Sequence, residues 1–366
     1  MNKMWALLFL LLPIIGCSYV GWHVWMMLPY SNLLKSIIIT CMILCFSLLF
    51  LNILIGLDKM PPTVARFMYE IGTSSLFVLL YLVMIFLVLD LGRAVHLVPA
   101  SFIQNSIQGS LTVLIIMSAI FIYGNLNYYH KVRVPLNVTT EKPLQRPLKI
   151  VLMSDLHLGY HNTRTDLANW VNKVNSEHAD LVLIAGDIVD ISVEPLLRAN
   201  MAEEFRRLQA PVYAALGNHD YYAGELKSEQ FYRDANIHLL QDSSIVFKNE
   251  LTIIGRDDRT NKHRKALKAL VATTNQSTYT ILLDHQPYHL EEAEQAGIDF
   301  QFSGHTHYGQ VWPISWIEDI IYEDAFGPLT KGKTKYYVSS GMGIWGGKFR
   351  IGTRSEYVVL TLTSVK

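Results

Sequence analysis

Apolar residues follow two different rhythms along this chain, and the change falls near residue 125. Before it they run together in four blocks, roughly 4–25, 33–57, 71–89 and 107–123. Each block is close to the twenty or so residues that cross a bilayer core as a helix. Polar and helix-breaking residues separate them: Pro29-Tyr30-Ser31-Asn32, Asp58-Lys59-Met60-Pro61-Pro62, and 90–104 with Pro99. Trp5, Trp22, Trp25, Tyr30 and Tyr123 fall near the block ends, where interfacial aromatic belts sit. The fourth block begins diluted by Ser106, Gln108, Ser110 and Thr112. The pattern predicts an all-α transmembrane domain of four helices over 1–127.

A polar stretch punctuated by Pro135, Pro143 and Pro147 follows, read as a linker over 128–147 with at most a short strand at 132–134. Beyond it, short apolar runs alternate with amphipathic segments. Strands are expected at 148–153, 180–185, 212–216, 244–247, 251–255, 279–283, 300–303, 335–339 and 357–362. Helices are expected at 165–177, 195–208 and 225–236; in the first, Leu167, Trp170, Val171 and Val174 recur at helical spacing. Strand–helix alternation predicts a parallel-rich α/β domain over 148–366.

Charge adds orientation. The chain has 31 basic and 31 acidic residues, so its balance points to no nucleic-acid partner. With the N-terminus inside, the inner segments carry Lys3, Lys59, Arg66, Lys131, Arg133, Lys142, Arg146 and Lys149, and the outer loops only Lys35 and Arg93. The positive-inside rule then makes this a multi-pass protein of the cell (inner) membrane with its α/β domain in the cytoplasm. An alternative is a lipoprotein: Ile14-Ile15-Gly16-Cys17 resembles a lipobox, and lipidation at Cys17 would reverse the topology. Apolar character continues past Cys17 to Leu28, which favours an uncleaved span. Cys17, Cys41 and Cys45 are the three cysteines, so the α/β domain has neither disulfide nor thiolate chemistry.

The chemistry gathers where the predicted strands end. They run into Ser154-Asp155-Leu156-His157, Gly186-Asp187-Ile188-Val189-Asp190, Gly217-Asn218-His219-Asp220, Asp284-His285 and Gly304-His305-Thr306-His307. Each has a bland reading alone, as a cap, an Asx turn or a satisfied core histidine. Five at one sheet edge favour a metal centre, because functional residues collect at the carboxyl ends of parallel strands and imidazole is the commonest metal ligand.

This ordered set resembles the calcineurin-like metallophosphoesterases over about residues 148–366, and the layout looks like a membrane-anchored bacterial subgroup. The resemblance implies a four-layer α/β/β/α sandwich with two divalent ions (Mn, Fe or Zn). One ion would be held by Asp155, His157, Asp187 and His307, the other by Asp187, Asn218, His285 and His305, with Asp187 bridging. Water activated at the metals would attack the phosphorus. His219 matches the family's non-ligand histidine, as proton donor or cation, with Asp220 orienting it. Asp190 and Asp284 are candidates to hold the imidazoles, with turn capping an equal alternative.

Substrate contacts are less legible. The run Gly341–Arg350 is glycine-dense and ends basic; it suggests a phosphate cradle with Trp345, Lys348 or Arg350. Arg256 is either a pocket wall or part of an ion-paired turn. The apolar segment 312–326 is either buried core or an interfacial flap. The leading reading is a membrane-anchored hydrolase of a lipid-linked phosphoester or pyrophosphate. The alternatives are a tethered phosphodiesterase acting on soluble substrates and, outside enzymes, a membrane signalling or scaffold protein with a metal-binding domain.

Overall fold

A computed structural model describes residues 3–365, with side chains described except at 3–10 and 53. The chain forms two compact units: one through Asn125, joined by Gly346–Lys348, and a second from Leu126 to Trp345 that resumes at Phe349.

The first unit holds the apolar helices α1 (Lys3–Met27), α2 (Asn32–Ile55), α3 (Pro62–Ala94), the short α4 (Ala100–Ile103) and most of α5 (Ile107–Tyr129). Among the described residues α2, α3 and α5 are long and apolar enough to span a membrane, and α1 adds a further apolar helix. Large apolar side chains such as Leu54, Val88 and Ile115 point outward, as a lipid solvent allows. A Cβ on Gly72 would lie 2.8 Å from the Leu49 nitrogen, so glycine lets α3 and α2 approach closely. α1 is tied to α3 by Tyr19, whose hydroxyl donates to Asp90 Oδ2 at 2.6 Å, and by His23, 3.0 Å from the same oxygen.

The second unit is a four-layer sandwich. One six-stranded sheet has the order β1-β12-β2-β3-β4-β5: β1 (Lys131–Thr140), β2 (Leu148–Met153), β3 (Leu181–Ala185), β4 (Val212–Ala215), β5 (Ile237–Leu239) and β12 (Ser355–Ser364). The other runs β10-β11-β9-β8-β7-β6: β6 (Ser243–Phe247), β7 (Leu251–Gly255), β8 (Tyr279–Leu283), β9 (Phe300–Ser303), β10 (Gly327–Lys331) and β11 (Thr334–Val338). Alternation decides the layers. Ile150, Leu152, Leu181 and Leu183 face the other sheet's Ile281, Leu283 and Phe302. Val151, Met153 and Ile184 face Trp170, Phe205 and Phe231 of the helices α6 (Arg164–Ser176), α8 (Met201–Phe205) and α10 (Glu225–Asp234). Ile254 and Leu282 face α11 (Leu267–Val271) and α12 (Glu291–Ala296). Strands buried on both faces explain the uninterrupted apolar runs; each such side chain contributes about 1.5–3 kcal/mol.

The structure differs from expectation at three places. The stretch 128–147 holds β1, ten residues paired in parallel with β12 from Lys131↔Ser355 to Thr140↔Ser364. Val134, Leu136 and Val138 alternate into the core, and Pro135 is tolerated because β1 is an edge strand. α5 therefore leads into the sandwich across a single residue, His130. The expected helix 195–208 breaks into α7 (Glu194–Arg198) and α8 at Asn200, which takes φ 49°, a conformation asparagine adopts readily. Finally, α3 extends the expected block 71–89 by more than a turn in each direction.

Candidate metal centre

Parallel pairing brings the ends of β2, β3 and β4 together in one sheet and those of β8 and β9 in the other. Past its last residue β2 stays tied to β3: Asp155 N–H donates to Gly186 O at 3.1 Å and His157 N–H to Asp187 O at 2.9 Å. The backbone twists sharply here. Asp155, His157, Asp187, His305 and His307 all have φ between 44° and 73°. Left-handed backbone at non-glycine residues costs on the order of 1 kcal/mol each and clusters at functional sites. Gly304 has a different role: a Cβ there would collide with the Asp155 carboxylate.

Three overlapping groups result, each with ligand atoms within 4.8 Å of one another: Asp155, His157 and His307; His157, Asp187 and His219; Asp187, His285 and His305. The two sheets meet in them. His157 Nε2 lies 3.0 Å from His307 Nε2, and His285 Nε2 lies 3.1 Å from Asp187 Oδ2. The latter pair lacks hydrogen-bond geometry, so His285 Nε2 is buried without a hydrogen-bond partner, as is Asn218 Oδ1. Buried lone pairs converging on common points fit a cation, and mixed imidazole–carboxylate donors suit divalent transition metals.

The surrounding side chains orient this set. Asp190 Oδ1 is 3.1 Å from His157 Nδ1 and 3.3 Å from His219 Nδ1. His285 Nδ1 is 2.7 Å from Ala185 O. Buried Asn162, which the sequence reading passed over, donates to the carbonyls of Leu156 and His157, both at 3.0 Å. Its only signal was an amide just ahead of the α6 cap. Removing Asp190 frees two imidazoles at once, so Asp190→Ala is expected to lower turnover and metal affinity by about 10–100-fold, read by assay and metal titration.

Electrostatics divides the imidazoles. Burial pushes His157 down, but the Asp155 and Asp190 carboxylates outweigh it and hold it up at about 10. Burial likewise pushes His285 down, but the Asp187 carboxylate outweighs it and holds the imidazole well above its usual range. Burial followed by repulsion from His285 lowers His305 to about 4, and burial drives His307 well below the usual imidazole range. Burial alone would raise Asp155, Asp187 and Asp190, yet neighbouring histidines keep all three low. In the metal-free protein the raised His157 pair stabilises fully below the ordinary imidazole pKa and is lost as pH rises through about 10. A cation must displace that proton, so apparent metal affinity is expected to rise with pH by about tenfold per unit for each proton expelled. Calorimetry at neutral pH in buffers of different ionisation heat checks this; zero proton release excludes His157 as a ligand.

Other expected roles change. Asp220 does not reach the His219 ring. Its carboxylate turns back to accept N–H bonds from Gly217 at 2.8 Å, Asp187 at 2.9 Å and Val189 at 3.0 Å, because it sits at the third position of α9 (Asn218–Tyr222). Burial and then Asp187 push it up to about 6. Asp284 pairs with Arg256 and Arg264, each at 3.2 Å, rather than with an imidazole; Arg256 also reaches Glu292 at 2.6 Å, so it belongs to an ion-paired turn. Arg350 is fully buried and donates to the carbonyls of His307, at 2.7 Å, and of Ser340, Gly341 and Gly343. Those bonds make it a clamp on the turn that carries His307 instead of a counter-charge for phosphate. Trp345 is half-buried in the sandwich unit, whereas Gly346–Lys348 group with the helical unit, where Asn125 donates to Lys348 O at 3.0 Å. The segment 312–326 is split: Tyr322 and Ala325 are buried, while Trp312, Trp316, Ile317, Ile320 and Ile321 are exposed.

A two-sheet sandwich with imidazole–carboxylate clusters at its parallel strand ends defines a metal-dependent hydrolase. The family model of the calcineurin-like phosphoesterases matches residues 148–309. A metallophosphoesterase of Campylobacter jejuni is 33% identical over 261 residues, 69% of each chain. One of Aquifex aeolicus is 32% identical over 66% of this chain and 95% of its own. A transmembrane protein with metallophosphoesterase domain from Danio rerio is 31% identical over 71% of this chain and 64% of its own length. The chain belongs to the calcineurin-like phosphoesterases and joins that domain to membrane-spanning helices.

Proposed function

We propose that this is an inner-membrane phosphohydrolase of the membrane-anchored bacterial kind, with its enzyme unit in the cytoplasm. It cleaves a phosphoester or pyrophosphate bond of a lipid-linked substrate and uses two divalent ions. Asp155, His157, Asp187 and His307 hold one ion; Asp187, Asn218, His285 and His305 hold the other. Bound there, the ions supply positive charge to the phosphate oxygens and lower the pKa of water.

The chain's own groups do the rest. Asp187 Oδ1 accepts the His219 backbone N–H at 2.8 Å, which fixes the imidazole's origin. With Nδ1 turned to Asp190, His219 keeps Nε2 for a proton delivered to the leaving oxygen. The observation that carries the lipid reading is a short hydrogen-bond path. Asn127, in the last turn of α5, donates to Arg350 O at 2.9 Å, and Arg350 donates to His307 O at 2.7 Å. Two side chains thus join the end of a spanning helix to a ligand of the metal centre.

The test is an assay of the purified chain with Mn²⁺ against p-nitrophenyl phosphate, its bis ester and a detergent-solubilised lipid pyrophosphate, alongside metal analysis. A preference for the lipid substrate with two metal equivalents is expected. Turnover of the soluble esters alone would make this a tethered phosphodiesterase, and no turnover would leave a binding protein. Protease protection of the enzyme unit in sealed right-side-out vesicles checks the orientation.

A further inference from the structure

The helix α13 (Ile314–Ile321), which follows the turn carrying His307, has no core to cover on one side. Trp316, Ile317, Ile320 and Ile321 fall within about 140° of its circumference. All four are exposed, Ile320 at 85% and Trp316 at 60%. Trp312 extends the stripe, its ring 5.3 Å from that of Trp316. Glu318 and Asp319 lie off the stripe, Ser315 is buried beneath it, and α13 carries no basic residue. In a soluble enzyme such a face is a liability.

Its surroundings say what covers it. Trp312 N–H donates to Ile351 O at 2.7 Å, and Val311 pairs with Ile351 in a parallel bridge. On either side of Ile351, the carbonyls of Arg350 and Thr353 accept from Asn127 at 2.9 and 2.7 Å. The same turn of α5 is anchored further by Tyr128, whose hydroxyl donates to Asn162 at 2.5 Å. The start of α13 is therefore fastened, through one short loop, to the residues on which the chain leaves its last spanning helix. A stripe fastened in this way has the end of a spanning helix as its neighbour along the chain.

We propose that the Trp312–Ile321 face lies in the bilayer interface as a second, monotopic membrane contact, and that it seats the metal centre at headgroup level. This deepens the functional reading above: it rests on the membrane anchoring and adds how a lipid-borne phosphate reaches the site. Because the stripe is apolar and lacks basic residues, docking depends on buried apolar area and is insensitive to salt.

The test uses the full chain in phosphatidylcholine vesicles, with Cys17, Cys41 and Cys45 replaced by serine. An environment-sensitive fluorophore is placed on Ile320→Cys or, as a control, on Leu197→Cys, at an exposed position of α7. The Ile320 probe is expected to be quenched by lipids bearing a headgroup-level nitroxide, at low and high salt, and to be shielded from aqueous iodide; the Leu197 probe should do the reverse. Iodide access equal to that of the control overturns the proposal. So does shielding from iodide without nitroxide quenching, which would mean a second copy or another protein covers the face. As a second reading, Ile320→Glu should slow hydrolysis of a vesicle-borne lipid pyrophosphate by about tenfold and leave soluble p-nitrophenyl phosphate within about twofold. Equal effects on both overturn it. If the unaltered protein cleaves no lipid substrate, the substrate reading falls, and the quenching pattern still decides whether α13 docks.

Discussion

Asp187→Asn is expected to lower turnover on the order of 10³-fold and to deplete bound metal, with the fold intact. Asp187 is shared by two of the three strand-end clusters: Oδ2 lies 3.1 Å from His285 Nε2 and 3.5 Å from His157 Nε2, and Oδ1 takes the His219 N–H at 2.8 Å. Asparagine keeps the shape and one acceptor but removes the charge. Withdrawing roughly 4 kcal/mol of transition-state charge stabilisation gives about that loss. Metal content by mass spectrometry and a circular-dichroism melt separate the two effects. A variant that keeps wild-type metal content and rate would remove Asp187 from the centre of the site.

His219→Ala should behave differently. Metal content is expected to stay at the wild-type level, because His219 is not among the proposed ligands and its Nδ1 is 3.3 Å from Asp190 Oδ1, while turnover falls by about 10²–10⁴-fold. The chemistry supplies a sharper check. A p-nitrophenoxide leaves without a proton, whereas an alkoxide needs one, so the loss should be much larger for an alkyl ester than for the nitrophenyl ester. Equal losses on both leaving groups would make His219 an electrostatic rather than a proton-donating residue.

Much of this was readable from residue order, for reasons that differ by region. Membrane helices advertise themselves because a bilayer forbids polar interruptions, so the block boundaries needed only the prolines and charges between them. The inner strands were equally plain: Leu181–Ala185 is apolar and buried throughout, and Leu148–Met153 is buried and apolar except at Lys149 near its start. β1 was hidden because Pro135 and Asn137 sit on its outer side, where an edge strand tolerates them. The strand ends that carry the candidate ligands stood out because metal chemistry needs particular side chains in order along the chain. The residues that support them could not. Asp190 and Asp220 look alike in sequence, one after Gly-Asp and one after Asn-His, yet the first holds two imidazoles and the second caps backbone N–H groups. Arg350 looked like a phosphate ligand because burial of a guanidinium among four carbonyls is a tertiary fact with no local signature. The left-handed backbone at five candidate ligand positions was equally silent, since aspartate and histidine, though enriched at positive φ, adopt it at few of their positions.

The pairing of β1 with β12 sets when this enzyme can come into being. These two strands lie side by side over ten residue pairs although Lys131 and Ser355 are separated by nearly the whole sandwich. During synthesis β1 emerges directly behind a helix already committed to the bilayer, and its partner is made last. Until then the first sheet lacks the strand between β1 and β2, and an apolar edge stays open. Long-range closure of this kind is slow. The nascent protein thus passes its most aggregation-prone interval with β1 already joined to a spanning helix.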